Sequence, residues 1–248
     1  MAAAALGPGT RLEGLTLSDA DWAEADLSDA VLIGCVAEDA ILASTNLAGA
    51  RLERCRFVRC RFSHADLRDA VFEDCQFADP LAKSGPAFSF VRADGARIAR
   101  CDIRLAKFEG CDLYGVAMES CNLAGAAFRR TTFSRAFGRK VERFAAEITD
   151  CNLELADLSG ARLPGCRLGR CRLREADLSG ADLEGCDLTG ADLFQAVIDG
   201  AKLADADLRG AEVSGLDLRR LGSHQGLKIT PDQQFRLLDA MGVDVRPD

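Results

Sequence analysis

The side chains best equipped for chemistry in this 248-residue chain are its eleven cysteines. Thiols in that number raise metal-centre and redox readings, which their spacing must then support. No CxxC pair occurs: Cys55 and Cys60, like Cys166 and Cys171, stand five residues apart. Cys35, Cys75, Cys101, Cys111, Cys121, Cys151 and Cys186 occupy the same kind of slot, two residues before a repeating apolar position. Elsewhere Ala fills that slot, as at Ala20, Ala25, Ala30, Ala156, Ala161, Ala176, Ala181 and Ala191. Cys there reads as a small buried hydrophobe in place of Ala. Thiols aimed inward from different sides do not converge on a tetrahedral ion, so neither a metal nor a cofactor is expected.

Two histidines, His64 and His224, supply too few parts for a Ser-His-Asp relay or a His-rich centre. No GxxxxGK[ST] phosphate loop and no HExxH motif is present. The many Asp residues could be paired catalytic carboxylates, yet most fall just before a large apolar residue, where a solvated face explains them. No catalytic residue is assigned, and the reading is that the chain is not an enzyme.

What positions these residues is a repeat. Large apolar residues recur every five positions from Leu12 through Leu17, Trp22 and Leu27 to Phe77, with Ala37 a small exception. The spacing resumes from Ile98 to Phe133, and again from Ile148 to Leu218. Five is neither the 3.6 of a helix nor the 2 of a strand. A chain that turns a corner every five residues can aim both its large and its small residue at one axis. Four such sides make a coil of about 20 residues, and coils stacked at about 4.8 Å make a solenoid.

Ala176-Asp177-Leu178-Ser179-Gly180, Ala181-Asp182-Leu183 and Ala191-Asp192-Leu193 are near-ideal copies of one unit. In this the chain resembles the pentapeptide repeat family, whose pattern is written A(D/N)LXX, over about four fifths of its length. The resemblance implies an all-β fold, a right-handed quadrilateral β-helix, here with two projecting loops and a short C-terminal α-helix. Residues 1–226 would form the β-helix, with loops near 79–87 and 134–147, and 227–248 a capping helix and dimerisation segment. At strand spacing the solenoid would be about nine coils and roughly 45 Å long, and two chains end to end about 90 Å.

The formal charge of −8 argues against bulk attraction to nucleic acid or anionic lipid and for a basic partner. Acids outnumber bases between Glu147 and Leu218. Residues 20 apart share a face, so Asp157, Asp177 and Asp217 fall in one column broken by Val197, and Asp187 and Asp207 in another. Ordered carboxylates on a rod present a field like that of duplex DNA; they also keep a rod soluble. The run "RLERCRFVRCRF" (51–62) looks like a nucleic-acid patch, but Phe57 and Phe62 are inward residues and Arg51, Arg56 and Arg61 lie on successive sides. A girdle is expected there. The start "MAAAALGPGT" lacks signal-peptide features, and no apolar run approaches about 20 residues, so a soluble, cytoplasmic protein is expected.

Two interruptions and a tail depart from the period. "ADPLAKSGPAF" (78–88) and "SRAFGRKVERFAAE" (134–147) should be expelled sideways as loops. In the tail, Thr230-Pro231 followed by Gln233 reads as a capping box and Gly242 as a helix stop. Phe235, Leu238 and Met241 form an apolar stripe for a cap and dimer contact. This layout resembles the Qnr-type quinolone-resistance proteins and relatives that protect against gyrase-directed toxins. The resemblance implies a homodimer through the C-terminus and binding to DNA gyrase and/or topoisomerase IV by DNA mimicry. It further implies antibiotic resistance by rescue of the enzyme from poisons, with no direct binding of nucleic acid or membrane. The corresponding loop residues are Asp79, Leu81, Lys83, Arg135, Phe137, Arg139, Lys140 and Arg143. Alternatives are a scaffold for another protein partner, or plain gyrase inhibition by DNA mimicry.

Overall fold

In the computed structural model, which describes residues 6–246 except 80, 82, 139 and 140, every side of the repeat is a short extended segment paired in parallel with the segment one coil away. One column of pairs runs Arg11, Val31, Arg51, Val71, Arg97, Ala117, Glu147, Arg167, Asp187, Asp207 and Lys228. The next side runs from Thr16 through Val36, Arg56, Gln76, Asp102, Asn122, Asn152, Arg172 and Asp192 to Glu212. A third carries Ile41, Arg61, Ala87, Lys107, Ala127, Asp157, Asp177 and Val197, and a fourth begins Asp26, Asn46, Asp66, Arg92, Asp112, Thr132. Partners are 20 residues apart wherever the chain is uninterrupted, so each coil has four sides of five residues. The first column's eleven rungs exceed the nine coils expected from the repeat, because pairing continues at both ends to Arg11 and Lys228. At strand spacing they span about 48 Å.

The large and small repeat residues are both buried in one continuous core. Trp22 is included, its indole nitrogen donating to Leu17 O at 3.0 Å. Corners need a residue with positive φ, here most often Gly, Asp or Arg. Two corner types occur. In one, the backbone N–H after the corner reaches back to close a turn, as Ala156 N does to Leu153 O at 3.0 Å. In the other, a side chain completes the corner. Cys55 Sγ donates to Glu53 O at 3.4 Å, and Cys75 and Cys101 do the same to Glu73 and Ala99. Thr131 Oγ1 takes this role where Cys is replaced. The cysteines are therefore more than stand-ins for Ala: each thiol at an open corner adds a second donor to a carbonyl that already accepts a backbone N–H from the neighbouring coil, as Glu53 O does from Gly34 N at 2.8 Å. Burial pushes Cys60 and Cys166 up to about 11, keeping both protonated.

Candidate partner-binding surface

The two interruptions leave the coil at different corners. The first lies between Gln76 on the second side and Ala87 on the third; the other lies between Thr132 on the fourth side and Glu147 on the first. These corners are diagonally opposite.

At the first, Asp79 is buried rather than presented outward. It receives Arg59 Nη1 at 2.8 Å and Leu81 N at 2.8 Å, and bridges to Ser84 at the neck of the loop. Leu81 is 91% exposed, and Lys83 is exposed with φ 48°. Beneath them runs a trench of ≈ 460 Å³ lined by Ala78, Lys83, Ser84, Leu105, Gly125 and Leu155. Leu105 and Leu155, which the repeat places at an outward corner, went unnoticed in sequence because a Leu outside the inward slot carries no periodic signal.

The second interruption is a β-hairpin of Ser134–Phe137 against Val141–Phe144. Its one legible signal is Gly138, which adopts φ 74° in the turn. The hairpin is held from both ends. Arg135 donates to Asp94 at 2.7 Å, approaches Asp112 at 3.8 Å and lies 4.6 Å over the Tyr114 ring, all on earlier coils. The hydrogen bond to Asp94 raises its pKa further. On the following coil, Arg162 donates to Glu142 at 3.0 Å and covers Phe144 at 5.0 Å. Glu142 also accepts from Ser134 Oγ at 2.6 Å, and these two bonds, Ser134 first, lower its pKa.

Arg135 thus anchors the hairpin. Phe137, 46% exposed with Arg143 5.3 Å over its ring, and Val141 form the outward tip. Arg139 and Lys140 lie outside the described residues. Sequence reasoning missed Asp94, Asp112, Tyr114 and Arg162, whose pairing is invisible until the coils are stacked.

Asp157, Asp177 and Val197 do form one column, and Asp187 and Asp207 another that ends in Lys228. Each carboxylate also closes its own corner: Asp177 accepts from Ser179 N at 2.9 Å, and Asp187 from Thr189 N and Oγ1 at 3.0 and 2.7 Å. This explains the spacing of Asp two residues before Ser or Thr. Asp207 and Asp217 pair with Arg209 and Arg219, each at 2.7 Å, and Asp157 lies 3.5 Å from Arg129. Among the described residues, Asp177 and Asp187 form no ion pair, so the free acidic field is narrower than a count of carboxylates implies.

The tail helix spans Gln233–Ala240. Only half of the expected capping box forms: Thr230 N donates to Gln233 Oε1 at 2.6 Å, while Thr230 Oγ1 bonds the same oxygen at 3.0 Å instead of the helix N–H. Gln233 is buried, and its Nε2 donates to Leu208 O and Ala211 O, both at 2.7 Å. Leu237, one turn on, is the buried apolar contact. Phe235 is exposed, and Leu238 and Met241 are half-buried, so they form the outer flank of the helix rather than its seat.

No helix among the described residues is long and apolar enough to cross a membrane. The family model "Pentapeptide repeats" matches residues 10–47, 45–79, 96–137, 151–190 and 186–220. No curated protein sequence matches the chain. Among solved structures, trypsin-treated QnrB1, described as a plasmid-mediated fluoroquinolone resistance protein, superposes with TM-score 0.79 at 29% identity, covering 86% of this chain and 99% of that one. A second trypsin-treated QnrB1 gives 0.76 at 26% identity over 96% and 100% of the two chains. Full-length QnrB1 gives 0.74 at 29% identity over 84% and 100%.

Proposed function

Since this chain belongs to the pentapeptide repeat family, we propose that it is a quinolone-resistance-type protector that binds DNA gyrase and/or topoisomerase IV and relieves poisoning without catalysis of its own. The observation that carries the reading is the superposition on a fluoroquinolone resistance protein, over 99% of the trypsin-treated chain and 100% of the full-length one. The surface is compatible with it. Acidic columns on the later coils face a basic DNA-binding groove, the hairpin tip of Phe137 and Val141 contacts protein, and the outer helix flank, with Phe235, Leu238 and Met241, joins two chains into a dimer in the cytoplasm.

Titration of the purified protein into a gyrase supercoiling reaction containing a fluoroquinolone tests this. Recovery of supercoiling is the expected result. Inhibition with no recovery would make the protein a plain DNA mimic. No effect on gyrase or topoisomerase IV would leave a scaffold for another partner, a reading favoured by the ion pairs that quench Asp207 and Asp217.

A further inference from the structure

Seven of the eleven cysteines stand on successive coils at one corner of the solenoid. Cys35, Cys55, Cys75, Cys101, Cys121, Cys151 and Cys171 each directly precede a rung of the second side, namely Val36, Arg56, Gln76, Asp102, Asn122, Asn152 and Arg172. None of the seven is more than 2% exposed, and none is in a disulfide. Each Sγ also donates to a carbonyl of the coil before it, at 3.1 to 3.6 Å. Cys75 N and Cys121 N each donate 3.3 Å to the sulfur of the coil above, Cys101 and Cys151. The sulfurs are thus fixed in one file at the coil spacing of about 4.8 Å.

Packing alone does not require the file, because Ala191 continues the same corner column beyond Cys171. Two metal–thiolate bonds of about 2.3 Å in line span about 4.6 Å, close to the coil spacing. No group of three or more His, Cys, Asp or Glu able to hold a metal occurs among the described residues. A divalent ion wanting four ligands is therefore not served, whereas a soft monovalent ion content with two sulfurs is. We propose that this file is a binding track for soft monovalent cations of the copper(I) and silver(I) class, each held linearly between the sulfurs of two successive coils. Each ion displaces one proton, leaving one thiolate and one thiol around the cation. The buried unit is then neutral, as an apolar core demands.

Silver(I) titration of the fully reduced protein, followed by native mass spectrometry and near-ultraviolet thiolate-to-metal absorption, tests this. Wild type should take up several ions per chain, melt at a higher temperature when loaded, and lose ions as pH falls. Cys55→Ala/Cys101→Ala/Cys151→Ala leaves no two file thiols on successive coils and should lose most of the uptake. Cys60→Ala/Cys111→Ala, which removes thiols outside the file, should keep it. No uptake by wild type, or equal uptake by the triple variant, would overturn the proposal. Should the triple variant fail to fold, X-ray absorption on loaded wild type decides: two sulfur neighbours per ion uphold the track, and three or more neighbours, or nitrogen or oxygen ones, refute it.

Discussion

The coils before the hairpin and those after it solve the same five-residue problem differently. Before it, the large slot is often aromatic, and Phe62, Phe88, Phe108 and Phe128 stack in a file with centroids 4.8 to 4.9 Å apart. All but one of the solenoid's regular strands lie there; the last, Ala146–Thr149, directly follows the hairpin. After it, the slot holds Leu, Ile or Val from Ile148 to Val213, pairing beyond Thr149 is reduced to single bridges, and every corner from Ala156 to Ala211 is closed by its own backbone. The corners differ to match. Arg54, Arg59, His64, Asp69 and Asp74 take positive φ in the early coils, whereas Gly160, Gly165, Gly180, Gly185, Gly190, Gly200 and Gly210 dominate later. The early half is held by strand pairing and ring stacking and carries side chains at its edges. The later half is held by closed turns and presents smooth edges between carboxylate columns. A flat partner approaches the second kind of surface more closely.

The largest effect that could break this contrast is in the core. Phe108→Ala removes a ring stacked on both sides and should cost about 3–5 kcal/mol, against about 2–5 for Leu183→Ala in the later half. Hydrogen exchange should localise each loss to its own coils, since solenoid neighbours couple only to neighbours. Loss spread evenly over the chain would erase the distinction. Next comes the end of the later half. Gln233→Ala removes the donor to the Ala211 carbonyl and one of two donors to that of Leu208, and should cost about 1–3 kcal/mol, read as faster exchange in the last coil alone.

A smaller effect sharpens the corner distinction. Cys121→Ala should cost about 1 kcal/mol by thermal melting, whereas Cys121→Thr should recover part of it, as Thr131 fills an equivalent corner. At a closed glycine corner, Gly180→Ala meets no atom within 4 Å, so its cost of about 1 kcal/mol is strain alone at φ +65°. The smallest effect is a titration. Arg219, by its side-chain hydrogen bond first, lowers Asp217 to about 2. A depressed carboxyl stabilises the fold above its unfolded pKa of about 3.9, and that contribution fades as pH falls toward 2. Asp217→Asn should flatten the melting temperature over that window, and an unchanged acid limb would dismiss the pair.

The solenoid was legible because a corner every five residues imposes one period on two slots, and no other backbone asks for that. The inward placement of Phe57 and Phe62 and the girdle of Arg51, Arg56 and Arg61 followed from it. The rest depends on neighbours 20 or more residues away. Asp79 looked like a loop contact until Arg59 from the coil below met it, and Arg135 looked free until Asp94 and Tyr114 were beside it. In the tail, Gln233 and Leu237 share the buried face one turn apart, but a polar member hid that face, and the eye followed Phe235, Leu238 and Met241 instead. The thiol file was hidden in plain letters, since Cys and Ala fill the same slot.

The central claim is protection of a topoisomerase, and the hairpin offers the most direct test. Removing residues 135–144 leaves Phe133 and Ile148 five residues apart, so the repeat closes without the hairpin. The measurement is the amount of cleaved DNA trapped on gyrase by a fluoroquinolone, with wild type and with this deletion, each first confirmed folded by circular dichroism. Fewer trapped complexes with wild type and no reduction with the deletion is the predicted result. Undiminished trapping with wild type would contradict the account, and equal protection by both would remove the hairpin from it.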